Sequence, residues 1–265
     1  IGTHLFHFVR AVEKFRGWGR GLRHAVGAWY QRPVGTVTYQ AVKYQQRDGW
    51  SHRDLLRLAH VKPATPEHQT LFKYIVKGAD AEGLDLRGHP LIEAVVEVQK
   101  MATPAATARF IREYDLPREV IPTEMLNHAE VWAALLERMP MTAMIRNLAT
   151  MTRVGLLESL SEATKHVVTQ LGDADRIAKA RIHPVGVLGA LMTYQGGKGI
   201  RGSRSWTPIR PIVDALDAAF YTAFGNVPTT GKNIELALDV SGSMGMGVIE
   251  GVHGLTPSAG TAAMA

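Results

Sequence analysis

The chain has 265 residues, of which 46% are hydrophobic and 20% are charged, as is typical of a globular protein with one large domain or two ordinary ones. The lack of cysteine excludes a disulfide framework and thiolate metal ligands. No uncharged apolar run reaches the ~18 residues of a membrane span, so we expect no membrane partner.

Positive charge is concentrated at the start of the chain. Residues 1–62 contain 11 lysines and arginines against three acidic residues, whereas the other 203 residues contain 19 basic and 21 acidic ones. Such an asymmetry indicates that the N-terminal portion has a polyanionic partner.

Apolar residues recur at helical spacing through most of the first 223 residues. The pattern predicts a helix near the N-terminus, a second entered through Gly17–Gly19, a third opened by Pro33, and a fourth that starts at the capping sequence Ser51-x-x-Asp54. Further helices are predicted at about 66–77, 89–100, 103–114, 129–138, 141–154, 162–171, 173–180, 184–194 and 208–223. Short paired helices favour a mostly α fold of the HEAT-like α-solenoid class. Because no clean repeat period is visible, a plain globular helical domain is an open alternative.

The pattern changes after residue 225, where a linker runs to Gly231. Residues 234–238 alternate as in a β-strand, a Gly-rich loop follows, and a helix begins with Thr256 as N-cap and Pro257 as its first residue. This order is the opening of a Rossmann-like α/β domain. We therefore predict a helical domain over 1–228 and the start of an α/β domain over 229–265, in a chain cut at both ends. A strand and part of a helix cannot form a core, so residues 229–265 should be poorly packed.

A candidate metal site lies directly after the predicted strand. Asp239, Ser241 and Ser243 form the pattern D-x-S-x-S, whose carboxylate and hydroxyl oxygens suit Mg²⁺ or another divalent cation. The alternative is a Ser/Gly turn in which Asp239 acts only as a local cap. Ligands from later loops would be needed to complete the site, so we expect it to be incomplete in this chain.

A Gly-rich segment carries a second group of basic residues. Gly197-x-Gly199-x-x-Gly202 matches the dinucleotide-binding fingerprint by letters, but a helix precedes it where that fingerprint requires a strand, so we reject the nucleotide interpretation. Lys198, Arg201, Arg204 and Arg210 remain, either in a loop that binds phosphates or in a solvated connector.

Basic residues in the first 62 positions cluster at helical spacing. Lys43 and Arg47 are predicted at i,i+4 on one helix, where like charges repel unless an anion lies between them. Arg53 and Arg57 repeat this spacing, and Arg16, Arg20 and Arg23 form a third group. Interleaved tryptophans and tyrosines are typical of a nucleic-acid surface. The alternative is solvated helix faces with the aromatic residues in the core.

His60 stands at a predicted helix C-terminus, either as a C-cap or as an RNA contact. No pattern of paired carboxylates, G-x-S-x-G or Walker A residues is present, so we expect no enzyme activity.

Several motifs resemble the TROVE module of the Ro autoantigen family, in its bacterial form. They run in the family's order from one end of the chain to the other, and the last resembles the start of a von Willebrand factor A domain. They are Ile1–Phe6, Gly17–Arg23, Lys43–His60, Leu116–Glu119, Ile121–Glu124, Pro140–Asn147, Gly197–Ser203 and Leu236–Met244.

The resemblance implies a ring of HEAT-like repeats closed by the von Willebrand factor A domain. It implies binding of small structured Y RNAs through Lys43, Arg47 and His60, and of the 3′ ends of misfolded noncoding RNAs in the central hole. It places the metal ligands at Asp239, Ser241 and Ser243.

The resemblance further implies a monomeric, cytoplasmic ribonucleoprotein that acts in RNA quality control, with polynucleotide phosphorylase as the partner that degrades RNA. The rival hypothesis is a protein-interaction scaffold, in which an α-solenoid binds acidic proteins and carries a metal-dependent adhesion module.

Overall fold

A computed structural model describes residues 2–199, 204–249 and 255–264. Within these ranges the secondary structure is helical apart from one short hairpin and an isolated bridge between Lys198 and Ser205. The chain divides into two compact units at the boundary between Leu126 and Asn127, here called the N-terminal and C-terminal units. None of the described helices is both long and apolar enough to cross a bilayer.

The N-terminal unit contains seven α-helices and the hairpin among its described residues. They are α1 (Gly2–Arg16), α2 (Arg20–Tyr30), α3 (Val34–Lys43), β1 (Gln46–Arg47), β2 (Trp50–Ser51), α4 (His52–Ala59), α5 (Pro66–Lys77), α6 (Pro90–Val98) and α7 (Pro104–Tyr114). Short 3₁₀ turns follow at Arg118–Val120 and Met125–Asn127.

The C-terminal unit contains seven more α-helices among its described residues. They are α8 (Ala129–Leu136), α9 (Met141–Arg153), α10 (Glu162–Gly172), α11 (Ala174–Lys179), α12 (Pro184–Gln195), α13 (Arg210–Ala223) and α14 (Pro257–Met264). Helix α13 packs on α10, α11 and α12 and forms the centre of this unit.

The helices predicted from residue 66 to residue 223 are confirmed, with ends within two residues of those expected. Side-chain caps define several starts, because a hydroxyl or carboxylate accepts from a backbone N–H that has no partner inside the helix. Ser51 and Asp54 form the predicted capping box at α4. Thr65 and Thr103 cap α5 and α7, and each is followed by a proline at the first helical position.

Aromatic side chains form much of the core of the N-terminal unit. Tyr30 is fully buried between His52 and Phe72, with ring centroids 5.7 Å from each, and Phe6 lies 4.8 Å from His52. Leu55 of α4 is also fully buried. Helix α4 therefore packs its apolar face against α2 and α5, which leaves its other face at the surface.

The hairpin corrects one prediction. Helix α3 ends at Lys43, and Arg47 lies in β1, opposite Trp50 in the antiparallel pair, so Lys43 and Arg47 do not share a helix. The turn is made by Asp48 and Gly49, with φ of 55° and 84°. Two residues with positive φ are the geometry of a type I′ turn, for which Asp-Gly is a preferred sequence.

The segment predicted as a strand is irregular. Residues 233–241 form no strand, and Ile234, Leu236 and Leu238 are 65%, 57% and 45% exposed. The strand prediction is wrong for this structure because alternation alone does not supply a neighbouring strand, and without one the backbone groups bond to water.

The expected poor packing is confirmed for residues 229–248, which lie almost entirely at the surface. It is wrong for the region of α14, where Leu255 is 1% exposed. That side chain lines a small apolar cavity together with Val185 of α12 and Phe220 of α13. Thr256 caps α14 as predicted, since its hydroxyl accepts from the backbone N–H of Ala259 at 3.2 Å.

Candidate nucleic-acid interface

Lys43 is a half-buried cation held by two tyrosines. Its ammonium donates to the hydroxyl of Tyr39 at 3.3 Å and lies 5.4 Å and 5.6 Å from the ring centroids of Tyr39 and Tyr44. Burial lowers the pKa of Lys43, but the interactions with Tyr39, Tyr44 and Glu119 outweigh it and leave the pKa above its ordinary value. The side chain is therefore charged and restrained at neutral pH, which reduces the entropy lost when it binds an anion.

The hairpin presents Arg47 at the surface. The carboxylate of the neighbouring Asp48 pairs with His7 and Arg10 of α1, and these contacts also hold the turn in place. Arg47 itself is exposed and has no ion-pair partner among the described residues. The positive charge of Arg47 is thus left for a ligand.

The connection between α1 and α2 lies against the same hairpin. The ring of Trp18 packs edge-on against Trp50 with centroids 5.4 Å apart, and Trp50 is the partner of Arg47 in the strand pair. Arg16 and Arg20 flank this connection and are exposed. The connection that Arg16 and Arg20 flank therefore packs on the hairpin.

Helix α2 starts in a way that suits an anion. Its first turn contains no acidic residue, and Gly19 provides no side-chain cap. Arg20 and Arg23 are both exposed in the first turn, where a basic side chain is disfavoured by the helix dipole. A phosphate near this terminus would offset that cost.

Helix α4 carries a stripe of basic side chains. Arg53 and Arg57 are four residues apart and exposed, and His60 follows three residues later, so the three lie along one side of the helix. His60 is the C-cap residue, with φ of 51° and ψ of 44°, which confirms its predicted place at the helix end. Eight helical residues separate the hairpin from His60 by about 12 Å.

The basic residues described in the preceding paragraphs, apart from His7 and Arg10, are here called the basic surface of the N-terminal unit. None of them has an ion-pair partner among the described residues. Its members are Arg16, Arg20, Arg23, Lys43, Arg47, Arg53, Arg57 and His60. The three members at α4, Arg53, Arg57 and His60, extend over about 10 Å of the helix.

The Gly-rich segment of the C-terminal unit is anchored by aromatic residues. Trp206 stacks on Tyr194 and donates from Nε1 to the carbonyl of Tyr194 at 2.9 Å. Gly197 has φ of 64°, and a Cβ there would lie 2.9 Å from the carbonyl of Trp206, so only glycine fits.

Three of the four basic residues predicted in this segment can be placed, and one of them, Arg210, begins α13 and pairs with Asp214. The backbone N–H of Gly199 donates to the carbonyl of Arg204 at 2.8 Å, and Lys198 pairs with Ser205. The exposed Lys198 and Arg204 are thereby brought together on one small bridge. Arg201 lies outside the described residues. The bridge follows helix α12, whereas a dinucleotide-binding fingerprint requires a preceding strand. The structure therefore agrees with the rejection of the nucleotide interpretation.

A cleft between α9 and α12 was missed by the sequence analysis. Its volume is about 420 Å³, and the residues that line it include Ile145, Ala190 and Tyr194. Arg146 and Arg181 also line it, and neither has an ion-pair partner among the described residues. Because these arginines come from segments about 35 residues apart, only folding brings them together. An apolar wall beside two cations suits a base and its phosphate.

The D-x-S-x-S residues lie close together at the surface. The carboxylate of Asp239 accepts from the backbone N–H of Ser241 at 2.8 Å, and the hydroxyls of Ser241 and Ser243 are 3.0 Å apart. The hydrogen bonds from Ser241 lower the pKa of Asp239. The local cap foreseen as the alternative is therefore present.

The same three oxygens suit a hard cation but supply at most half of an octahedral shell. Over the described ranges, no group of three or more His, Asp or Glu side chains is arranged to hold a metal. The oxygen atoms of the D-x-S-x-S residues are thus of the type that binds a divalent cation. The remaining ligands would have to come from water or from other residues.

The two helical units and the basic surface define the class: a helical protein whose N-terminal unit carries a set of basic residues without ion-pair partners among the described residues. A family model described as the TROVE domain matches residues 2–85 and 105–193. The chain belongs to this family, and the resemblance to Ro proteins is confirmed.

Two curated relatives and one solved structure show how far the similarity extends. The RNA-binding protein RO60 of Deinococcus radiodurans is 40% identical over 265 residues, which cover 99% of this chain and 50% of that protein. RO60 of Caenorhabditis elegans is 36% identical over 91% of this chain and 46% of its own length. The crystal structure of the Deinococcus radiodurans RO (RSR) protein matches with a TM-score of 0.82 and 40% identity over 99% of this chain and 53% of that one. The chain thus spans about half the length of the relatives it matches.

Proposed function

We propose that this chain binds RNA and that its basic surface holds a small, structured noncoding RNA of the Y type. The observation that carries the proposal is the set of eight basic residues in the N-terminal unit without ion-pair partners among the described residues. The name of both curated relatives, RNA-binding protein RO60, supports the choice of RNA as the polyanion. Lys43, Arg47 and His60 are the members assigned to Y RNA by family resemblance.

We further propose that the C-terminal unit contacts the single-stranded 3′ ends of misfolded noncoding RNAs. The cleft between α9 and α12 supports this, because it combines an apolar wall and Tyr194 with Arg146 and Arg181. The bridge with Lys198 and Arg204, together with Arg201, would add phosphate contacts. Unpaired strands favour such sites since their bases are available for stacking.

In the full-length protein we propose a HEAT-like ring of helices followed by a von Willebrand factor A domain that begins near residue 229. Asp239, Ser241 and Ser243 would then supply part of a site for Mg²⁺ or a similar cation. Such a cation would draw a ligand's oxygen into its coordination shell as a Lewis acid. Within this chain the three residues would hold the cation and orient its open positions.

We propose a role in RNA quality control as a cytoplasmic ribonucleoprotein whose protein component is a monomer. The chain would present RNA, and a separate exoribonuclease, polynucleotide phosphorylase, would carry out the degradation. In this proposal the protein is not an enzyme.

The decisive experiment is a titration of a structured small RNA at 50 and 200 mM salt. The wild-type chain should lose at least tenfold in affinity over this range, because several phosphate contacts are released. The variant Lys43→Ala/Arg47→Ala should bind at least tenfold more weakly at either salt concentration, and its salt dependence should be shallower, because two phosphate contacts are gone.

A matched control removes two positive charges elsewhere. Lys100 and Lys165 are exposed and paired with Glu97 and Glu162, so Lys100→Ala/Lys165→Ala should change RNA affinity by less than about twofold. RNA binding that is absent, or equally weakened by both double variants, would overturn the proposal. Binding of acidic proteins without binding of RNA would favour the scaffold hypothesis.

A further inference from the structure

The charged groups of the cleft between α9 and α12 are all cationic. Arg146 lies on α9, and Arg181 lies in the connection between α11 and α12. Both side chains are exposed, and neither has an ion-pair partner among the described residues. No carboxylate belongs to any of the described residues that line this cleft. The cleft therefore offers two guanidinium groups to an anion without a competing acid.

His183 adds a neutral donor to these two arginines. It is the N-cap residue of α12, and its Nδ1 accepts from the backbone N–H of Val185 at 3.3 Å. A neutral imidazole that accepts at Nδ1 carries its proton at Nε2. His183 is exposed and lines the cleft, and its Nε2 has no hydrogen-bond partner within the described ranges. The Nε2–H group is thus free to donate to a ligand.

The first turn of α12 adds to the positive field of the cleft. Val185 and Gly186 belong to this turn and line the cleft, and the turn contains no acidic residue. Because the dipole of a helix places partial positive charge at its N-terminus, an anion bound beside Arg181 and His183 is stabilised by the helix as well.

Most of the remaining surface of the cleft is apolar, and its side chains on α12 are small. Gly186, Gly189 and Ala190 line it from α12, and Ile145 and Ala149 line it from α9. A Cβ at Gly186 would meet no atom within 4 Å. A planar ring can therefore lie close to the backbone of α12. The volume of about 420 Å³ is within the range of pockets that bind small ligands.

The number of donors distinguishes between two kinds of phosphate. A phosphodiester inside an RNA chain carries one negative charge and two free oxygens, whereas a terminal phosphomonoester carries about two charges and three free oxygens. Guanidinium groups bind such oxygens through paired, charge-assisted hydrogen bonds. Arg146, Arg181 and the N–H of His183 thus match a terminal phosphomonoester better than an internal diester.

We propose that this cleft binds the last nucleotide of a single-stranded RNA that ends in a 3′-phosphate. The base lies against the small side chains of α12, and the phosphomonoester meets Arg146, Arg181 and His183. This inference rests on the proposed binding of RNA 3′ ends and specifies the chemistry of the end. RNA that carries a 3′-phosphate binds more tightly than the same RNA with a 3′-hydroxyl.

The test compares three single-stranded RNAs of one sequence, each about ten nucleotides long. The first ends in a 3′-hydroxyl, the second in a 3′-phosphate, and the third carries a 5′-phosphate and a 3′-hydroxyl. The wild-type chain should bind the 3′-phosphate RNA about tenfold more tightly than the first RNA. The 5′-phosphate adds the same charge but should change the affinity by less than about twofold. An equal gain from the 5′-phosphate would overturn the assignment of the cleft to 3′ ends.

Arginine variants show whether the preference arises in the cleft. Arg146→Ala should reduce it from about tenfold to about twofold or less, and Arg181→Ala should do the same. Arg153→Ala is the matched control, because Arg153 is also exposed on α9 but does not line the cleft. That variant should leave the preference at about tenfold.

A neutral variant tests the place of the base. Gly186→Leu should fill the cleft while α12 stays intact, because a Cβ at this position has open space around it. It should weaken binding of the 3′-phosphate RNA at least about fivefold. Gly172→Leu makes the same change at the end of α10, where a Cβ also has open space, and should leave the affinity unchanged. Thermal unfolding checks that both variants are folded.

The two proposals fail in different ways. If the wild-type chain binds none of the three RNAs, the proposed contact with single-stranded 3′ ends is overturned. If it binds all three with equal affinity, or if the preference for a 3′-phosphate survives Arg146→Ala, Arg181→Ala and Gly186→Leu, single strands still bind but the cleft does not receive a terminal phosphate.

Discussion

At the scale of single residues, His52 links the stability of the N-terminal unit to pH. The ring packs against Phe6, Trp29 and Tyr30, and burial lowers the pKa of His52 to about 4. The carbonyls of Gln40 and Tyr44 act in the opposite direction, but burial outweighs them. The imidazole is therefore neutral in the folded protein at any pH well above 4.

This pKa predicts that the protein loses stability in mild acid. A histidine in the unfolded chain takes up a proton near pH 6.5, whereas folded His52 does so only near pH 4. The unfolded state thus binds more protons between these values, and the free energy of unfolding should fall by about 3 kcal/mol as the pH drops from 6.5 to 4. Urea unfolding at several pH values measures this fall.

The control for this prediction is His52→Leu. It should be less stable than the wild type at pH 7, because Tyr30 loses its partner, yet its stability should change less between pH 6.5 and 4. An equal loss of stability in both proteins would show that other groups cause the acid sensitivity.

Lys43 leads to a second prediction at this scale. Tyr39→Phe keeps the charge and the ring but removes the hydroxyl that accepts from the ammonium. RNA affinity should fall about two- to fivefold because Lys43 loses an orienting hydrogen bond, and the salt dependence should stay the same because no phosphate contact is lost. A shallower salt dependence would mean that Lys43 itself had left the interface.

At the scale of elements, the hairpin positions Arg47, and its turn depends on glycine. Gly49 has φ of 84°, and a Cβ there would meet no atom within 4 Å, so the cost of Gly49→Ala comes from the backbone alone. We expect a loss of about 1–2 kcal/mol in stability and weaker RNA binding, measured by urea unfolding and by titration.

Gly27→Ala is the control for Gly49→Ala. It makes the same chemical change, but we expect the opposite effect on stability. Gly27 lies within α2 and also has open space around it, so alanine there should stabilise the protein by about 0.5–1 kcal/mol. If both variants behave alike, the turn geometry does not control the position of Arg47.

Local patterns were sufficient to predict most helices, because periodic burial and caps act within a few residues. They failed where the outcome depended on partners farther away. The helix expected through Arg47 gives way to the Asp48–Gly49 turn, and residues 234–238 lack a strand to pair with. The groups of basic residues were predicted, but the cleft with Arg146 and Arg181 was not, because it exists only after α9 and α12 have packed together.

At the scale of the whole molecule, packing is uneven along the chain. Each unit has a buried core, whereas residues 229–248 lie at the surface with irregular backbone. The side chain of Asn226 marks the transition, because its amide donates to the carbonyls of Ile177 and Ile182 at 3.1 and 2.8 Å. The backbone is thus tied to the C-terminal unit up to this residue.

This difference predicts where a protease cuts first. Thermolysin cleaves before large apolar residues in accessible, irregular backbone, and Ile234, Leu236 and Leu238 meet both conditions. Brief digestion should release a product that ends between residues 233 and 247, identified by mass spectrometry. Because this product keeps the basic surface, it should bind structured RNA with an affinity within about twofold of the intact chain. A first cut inside one of the helices α1–α13 would contradict the expected order of stability. Lost binding after a cut at 233–247 would place essential RNA contacts on the C-terminal side of the cut.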